Sequence, residues 1–285
     1  MMLSIGDLVL DVTIVPERRL QPDDDTPAAI TVGGGGQAAN FCAWVAAIGE
    51  PARLVCRVGD DATGSRLVSD LEAGGVEVFA VKGPDPTGVI AVLVGPDGER
   101  TMVTMRGASV GLQPADLRGE WFDGVDLLHV PAYSLFREPL ARAAWQAVDE
   151  LRSRGGMLSV DLSSVAGLLE YGPARMASDI DRLRPDILFA TAAEAETLAV
   201  SLEGVATHAV VKFGPAGCQV GSRRIVAPAV EVVDSTGAGD AFAAAFCAAI
   251  LHGSTPVEAG ERAVALAAEA VGHAGARPAR GRAAH

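Results

Sequence analysis

The sequence predicts an α/β protein with a mostly parallel sheet covered by helices on both faces, and a small second sheet inserted into it. Three observations carry this expectation. Short apolar segments alternate with helix-forming segments along most of the chain, as right-handed βαβ crossovers require. Glycines at 49, 74–75 and 155–156 stop three of the helical segments in the manner of helix C-caps. Two stretches, 12–32 and 77–106, break the alternation: acidic or Pro-containing turns separate β-prone residues there, and they read as strands of an antiparallel sheet apart from the core.

In chain order, the expected core strands are 3–9, 53–58, 126–130, 157–161, 187–190, 208–212 and 219–221, with the end of a further strand at Val230, Val232 and Val233. The expected helices are 38–48, 64–73, 139–154, 193–198, 241–251 and 256–272. Pro96-Asp97-Gly98 is a turn signal inside the second irregular stretch. The tail beyond Arg277, with Arg280 and Arg282, is expected to fray.

At 285 residues the chain is long enough for one large core, and its 49% hydrophobic but only 5% aromatic content describes an Ala/Val/Leu/Gly-rich globule. A net charge of −13 argues against nucleic acid or an anionic membrane as partner. No apolar run has membrane-spanning length and the N-terminus has no basic leader, so a cytoplasmic location is expected. The four cysteines form no CxxC pair and the five histidines no ligand pattern, which points to buried free thiols rather than a disulfide frame or metal site.

Asp234-Ser235-Thr236-Gly237-Ala238-Gly239-Asp240 precedes the apolar helix at 241–251. A glycine-rich turn at a helix start aims free N–H groups at an anion, and glycine lets the backbone approach closely. A carboxylate beside such a site is repulsive unless it has a task, and accepting a proton from an attacking hydroxyl would be one. An ordinary helix start, with Asp240 complementing the dipole, explains the local pattern equally well.

The heptad resembles the C-terminal signature of the PfkB/ribokinase family of sugar and nucleoside kinases. Gly35-Gly36-Gln37-Ala38-Ala39-Asn40, followed by Gly49 and Gly59, resembles that family's N-terminal signature, although Cys42 stands where a smaller residue is usual. The similarity runs from Ile5-Gly6-Asp7 to Gly275-Ala276. It implies a ribokinase-like three-layer α/β/α fold in one domain, residues 1–285, with the segments near 12–32 and 77–106 forming a β-sheet lid that often pairs two subunits.

The resemblance also implies a site. Asp240 would be the catalytic base, with Gly237, Ala238 and Gly239 forming an anion hole. Asp11, Gly35, Gly36 and Asn40 would bind the acceptor, Asp11 by taking two hydrogen bonds from a vicinal diol; Asp7 ranks below Asp11 in that role. Arg106 is the one nearby cation considered, and the neutral Gln37 favours a neutral or weakly acidic sugar over a phosphosugar. Thr191, Lys212, Gly214, Gly217 and Thr236 would border ATP. Glu194 would help hold Mg2+ through water, although Thr191 replaces the Asn of the family's Asn-x-x-Glu pattern and Glu194 can equally cap its helix. Asp234 would offer an oxygen to K+, as in potassium-activated relatives, or would only cap the turn. Tyr133 reads as packing.

The expected activity is therefore ATP-dependent phosphorylation of a hydroxymethyl group on a small sugar. A nucleoside kinase and a ligand sensor without catalysis are the alternatives. A dinucleotide-binding oxidoreductase fails, because Gly33–Gly36 does not follow the first strand at GxGxxG spacing.

Overall fold

The structure, a computed structural model, describes residues 1–95, 100–202 and 204–278. Its strands are β1 (Met2–Ile5), β2 (Val9–Pro16), β3 (Ala28–Gly35), β4 (Ala52–Gly59), β5 (Val76–Gly83), β6 (Thr87–Val94), β7 (Arg100–Gly107), β8 (Leu127–Pro131), β9 (Met157–Asp161), β10 (Ile187–Thr191), β11 (His208–Lys212), β12 (Cys218–Val220) and β13 (Arg223–Ile225). Its α-helices are α1 (Gln37–Ala47), α2 (Ala62–Ala73), α3 (Leu140–Ser153), α4 (Val165–Tyr171), α5 (Pro173–Leu183), α6 (Ala192–Leu198), α7 (Ala238–Leu251) and α8 (Pro256–Ala270).

Nine strands form the large sheet in the order β13-β12-β11-β10-β9-β8-β1-β4-β5. It is parallel from β11 to β5, with β12 and β13 antiparallel at one edge. Successive side chains enter opposite layers, as the pleat requires. Met2, Leu54, Leu127 and Phe189 face α1, α2, α7 and α8, while Leu3, Val55, Leu128 and Leu188 face α3 to α6. Helix α7 is buried on every side, which explains its unbroken Ala/Phe/Cys composition.

The small sheet has the order β3-β2-β6-β7. It is mixed rather than antiparallel, because β2 and β6 arrive by separate crossovers and pair in parallel. The segment 77–83, expected in the lid, belongs to β5 and pairs with β4 in the large sheet. The expected first strand at 3–9 divides: the chain leaves the large sheet after Ile5 and enters the small one at Val9. Gly6 lies between, where a Cβ would meet Ser134 Oγ at 2.5 Å.

Val230, Val232 and Val233 are in no strand and are exposed. The backbone N–H groups of Val233 and Asp234 both go to the Val271 carbonyl, at 2.8 and 3.2 Å, so this segment is tied to the end of α8 instead of a sheet. Helices α4 and α5 lie where no helix is expected from the sequence. Ser164 caps the first, and Pro173 opens the second with Met176, Ile180 and Leu183 on its buried face. The Pro96-Asp97-Gly98 turn signal and the tail residues Arg280 and Arg282 lie outside the described residues. All four cysteines are buried and free.

Candidate active site

The parallel strands end at one edge, and most of the site is assembled there. Asp161 closes β9, Thr191 closes β10 and Lys212 closes β11. Gly237 is the N-cap of α7 with φ 78°, and a Cβ on it would meet the Ala276 carbonyl at 2.1 Å. Only glycine fits that turn. Ala238, Gly239 and Asp240 form the first turn, whose N–H groups lack intrahelical partners. A Cβ on Gly239 would lie 3.5 Å from Lys212 Nζ, so the ammonium faces the same helix end. Positive dipole and ammonium converge where an anion would sit.

Asp240 is buried. Burial pushes its carboxyl up to about 7, opposed by a hydrogen bond from Asn40 and by Lys212, and reinforced by Asp161 and Asp11. A buried carboxyl brought near neutrality beside a helix start has the properties of a general base.

Asn40 does not cap α1: Gly36 holds the N-cap position and no side chain caps it. The Asn40 carboxamide instead serves Asp240 on one side and, through Oδ1, accepts from Arg277 Nε at 3.1 Å on the other. Asp11 lies on β2 opposite Gly33. Its Oδ1 is buried without a hydrogen-bond partner, as is Gln37 Oε1. Burial pushes the Asp11 carboxyl up to about 6, with Arg277 lowering it and Asp234 raising it. A Cβ on Gly35 would strike the Asp11 carboxylate at 2.1 Å, and one on Gly36 (φ 96°) would strike the Asp7 carbonyl at 2.3 Å. The glycines are therefore clearances as well as turn formers.

Lys212 donates to Asp161 at 2.5 Å. Burial opposes its charge, yet Asp161, Glu194 and Asp240 outweigh that and hold its pKa above the usual lysine value. Glu194 forms a capping box with Thr191: its Oε2 accepts from Thr191 N at 2.7 Å, and Thr191 Oγ1 accepts from Glu194 N at 3.2 Å. Burial and the Asp161 charge raise the Glu194 carboxyl. One lysine thus faces Asp161, Glu194 and Asp240, a surplus of negative charge that suits a divalent cation. Among the described residues no group of three or more His, Cys, Asp or Glu is placed to hold a metal by itself. Mg2+ keeps waters and phosphate oxygens as ligands and needs few protein carboxylates.

Asp234 organises the turn. Its Oδ1 accepts from Thr236 N and Oγ1 at 2.9 and 2.6 Å, and its Oδ2 accepts from Gly275 N at 3.0 Å. Gly217 (φ 89°) is a packing position, since a Cβ would strike the Ile225 carbonyl at 1.9 Å, whereas Gly214 (φ 57°) faces open space. Arg106 and Asp7 occupy each other in a two-armed pair at 2.8 and 2.7 Å, and Arg106 Nη1 donates to the Tyr133 carbonyl at 3.0 Å. The guanidinium also stacks over the Tyr133 ring.

Two residues escaped the sequence reading. Asp161 carried one usable signal, a carboxylate at the carboxyl end of a parallel strand. Arg277 carried none, because it stands at the start of a tail that looked uninformative.

A helix start whose N–H groups lack intrahelical partners, a buried carboxylate beside it and an acidic strand edge suit a phosphoryl-transferring enzyme, and they sit on a ribokinase-like α/β fold. A structure of adenosine kinase from Sinorhizobium meliloti superposes with a TM-score of 0.86 at 25% identity, covering 97% of this chain and 95% of that one. The chain belongs to the pfkB family of carbohydrate kinases, described as "pfkB family carbohydrate kinase", whose pattern matches residues 1–280. Similar relatives include an ATP-dependent ribose-1-phosphate kinase from Halopiger xanaduensis, 32% identical over 97% of this chain and 94% of that protein. Another is a 2-dehydro-3-deoxygluconokinase from Thermoproteus tenax, 32% identical over 83% of this chain and 79% of its own length.

Proposed function

We propose that this kinase moves the γ-phosphoryl group of ATP to a hydroxymethyl group of a small sugar, with Asp240 as general base. The observation that carries this reading is the buried Asp240 carboxyl, brought to about 7 and held by Asn40 in the first turn of α7. Asp240 accepts the hydroxyl proton as the oxygen attacks phosphorus. The N–H groups of Gly237, Ala238 and Gly239 bind the phosphoryl oxygens, and Lys212 adds a positive charge at the same helix end. Mg2+, held through water by Glu194 with Asp161 beside it, would supply charge neutralisation on the phosphates. Thr191, Gly214, Gly217 and Thr236 would border the nucleotide, Gly214 by leaving open space and Gly217 by letting the turn pack on Ile225. Asp234 holds the turn and would lend an oxygen to K+.

On the acceptor side, Asp11, Gly35, Gly36 and Asn40 surround orphaned polar atoms that a polyol would satisfy. Arg106 contributes by fixing Asp7 and Tyr133. The small sheet would close over the acceptor, and its exposed Ile30, Val32, Met102, Val103 and Met105 would pair two subunits.

The relatives are named for different acceptors, namely ribose 1-phosphate, 2-dehydro-3-deoxygluconate and, in the structural neighbour, adenosine. A sugar is favoured over a nucleoside because the four strands of the small sheet carry no aromatic residue to stack a base. Phe79, expected there, stacks on Trp121 at 4.9 Å beside the large sheet.

The test is ATP turnover against a panel of sugars, sugar phosphates and nucleosides. Asp240→Asn should lower kcat by roughly 10²- to 10⁴-fold while ATP binding stays measurable. Near-normal turnover in that variant would sink the assignment.

A further inference from the structure

Among the described residues, Arg277 is a part-buried cation near the acceptor groups that the reaction above does not use. Its Nε donates to Asn40 Oδ1 at 3.1 Å and one Nη donates to the Gly35 carbonyl at 2.9 Å. A place has been cleared for it. A Cβ on Gly34 would lie 2.2 Å from Arg277 Nη1, so the guanidinium lies against bare backbone of β3, beside the Gly35 that makes room for Asp11. Two adjacent glycines therefore give way to two opposite charges from distant parts of the chain.

Those charges act on each other without forming a direct pair. Among the described residues no carboxylate forms an ion pair with Arg277, and Asp11 Oδ1 has no hydrogen-bond partner. Burial pulls the guanidinium down to about 10 even though Asp11 and Asp70 act against it. A largely desolvated guanidinium in no direct ion pair favours a further negative group. A planar guanidinium with donors to spare is also the side chain best shaped for an oxyanion.

We infer that Arg277 is a specificity residue that binds an oxyanion on the acceptor, so that the preferred substrate is a sugar carrying a phosphate ester or carboxylate away from its reacting hydroxymethyl group. Asn40 sets the layout. Its carboxamide touches Asp240 on one side and Arg277 on the other, which places the anionic end of the sugar opposite the hydroxyl that is phosphorylated. Asp11 takes hydroxyl protons in between. The absence of Lys or Arg from the Gly35–Asn40 loop therefore does not exclude an anionic sugar, because the cation comes from the C-terminal segment. This inference rests on the kinase reading of the site and names its acceptor class.

The experiment compares matched acceptors, a pentose with its 1-phosphate and an aldose with its aldonate, in the wild type, Arg277→Gln and Arg277→Lys. The wild type should prefer an anionic member of a pair, and which pair shows the preference distinguishes phosphate from carboxylate. Arg277→Gln should raise KM for the anionic acceptor by roughly 30-fold or more and lower the anionic-to-neutral preference in kcat/KM by a similar factor; Arg277→Lys should recover part of the loss. Calorimetric binding of pentose 1-phosphate without ATP reads the same difference if no acceptor is turned over, which separates this inference from the kinase assignment. An unchanged anionic-to-neutral ratio in Arg277→Gln would overturn it. So would a gain confined to neutral sugars, which would make Arg277 a plug. Should Arg277→Gln fail to fold, Arg277→Lys decides, because losing the planar fork must weaken the anionic acceptor selectively.

Discussion

Lys212 Nζ bonds Asp161 Oδ2 at 2.5 Å, and the two residues stand at the ends of β11 and β9 with β10 between them. The lysine side chain therefore reaches over the strand that ends in Thr191 and closes the floor of the site. It is the cation that Asp161, Glu194 and Asp240 have in common.

The reaction should be limited by Asp240 at low pH. Its carboxyl, raised to about 7 chiefly by burial, works only when ionised, so kcat/KM should rise with pH through about 7 and level above it. Lys212→Met removes a charge that lowers this pKa, and the inflection should move upward. An unmoved inflection would mean that the ammonium does not reach Asp240.

The same group links stability to pH. A carboxyl whose folded pKa lies above its ordinary 3.8 stabilises the fold while protonated, and that contribution is lost as pH rises towards about 7. Asp240→Asn should therefore melt higher than the wild type, with the gap widening across this window to on the order of 2–4 kcal/mol. Melting curves from acid to neutral pH check the sign.

Glu194→Gln separates capping from metal binding. Gln completes a capping box as Glu does, so the melting temperature should hold. The Mg2+ concentration for half-maximal rate should increase roughly tenfold or more. A magnesium titration that superimposes on the wild type would leave Glu194 as a cap alone.

Gly237→Ala puts a Cβ into the Ala276 carbonyl at a positive φ, whereas Gly214→Ala meets only open space at a similar φ. The first should lower stability by about 2–3 kcal/mol or more and reduce turnover, because Gly237 is the N-cap of the helix turn that carries Asp240; the second should cost about 1 kcal/mol. Equal melting temperatures for the two would refute the clash.

Much of this was legible in advance because its signals are local. The strand–helix alternation reflects a sheet covered on both faces. The Gly237–Asp240 turn is written in consecutive residues, since a helix start needs its glycines and its carboxylate at fixed offsets. The boundary of the small sheet was not legible. The edge strand β5 has one open side and alternates polar with apolar residues much as a lid strand does, so only its pairing with β4 assigns 77–83 to the core. Val230, Val232 and Val233 misled in the same way, because β-prone composition does not reveal whether a neighbouring strand exists.

The sequence by itself determined the fold family, the glycine-rich turn and the aspartate that follows it. Only the tertiary structure decided which distant charges share that aspartate's surroundings. Asp161 and Lys212 meet because β9 and β11 flank β10, and Arg277 meets Asn40 across 237 positions because the end of the chain returns over the glycines of β3. Contacts of that kind have no period in the sequence; they depend on strand order and on space left by missing side chains.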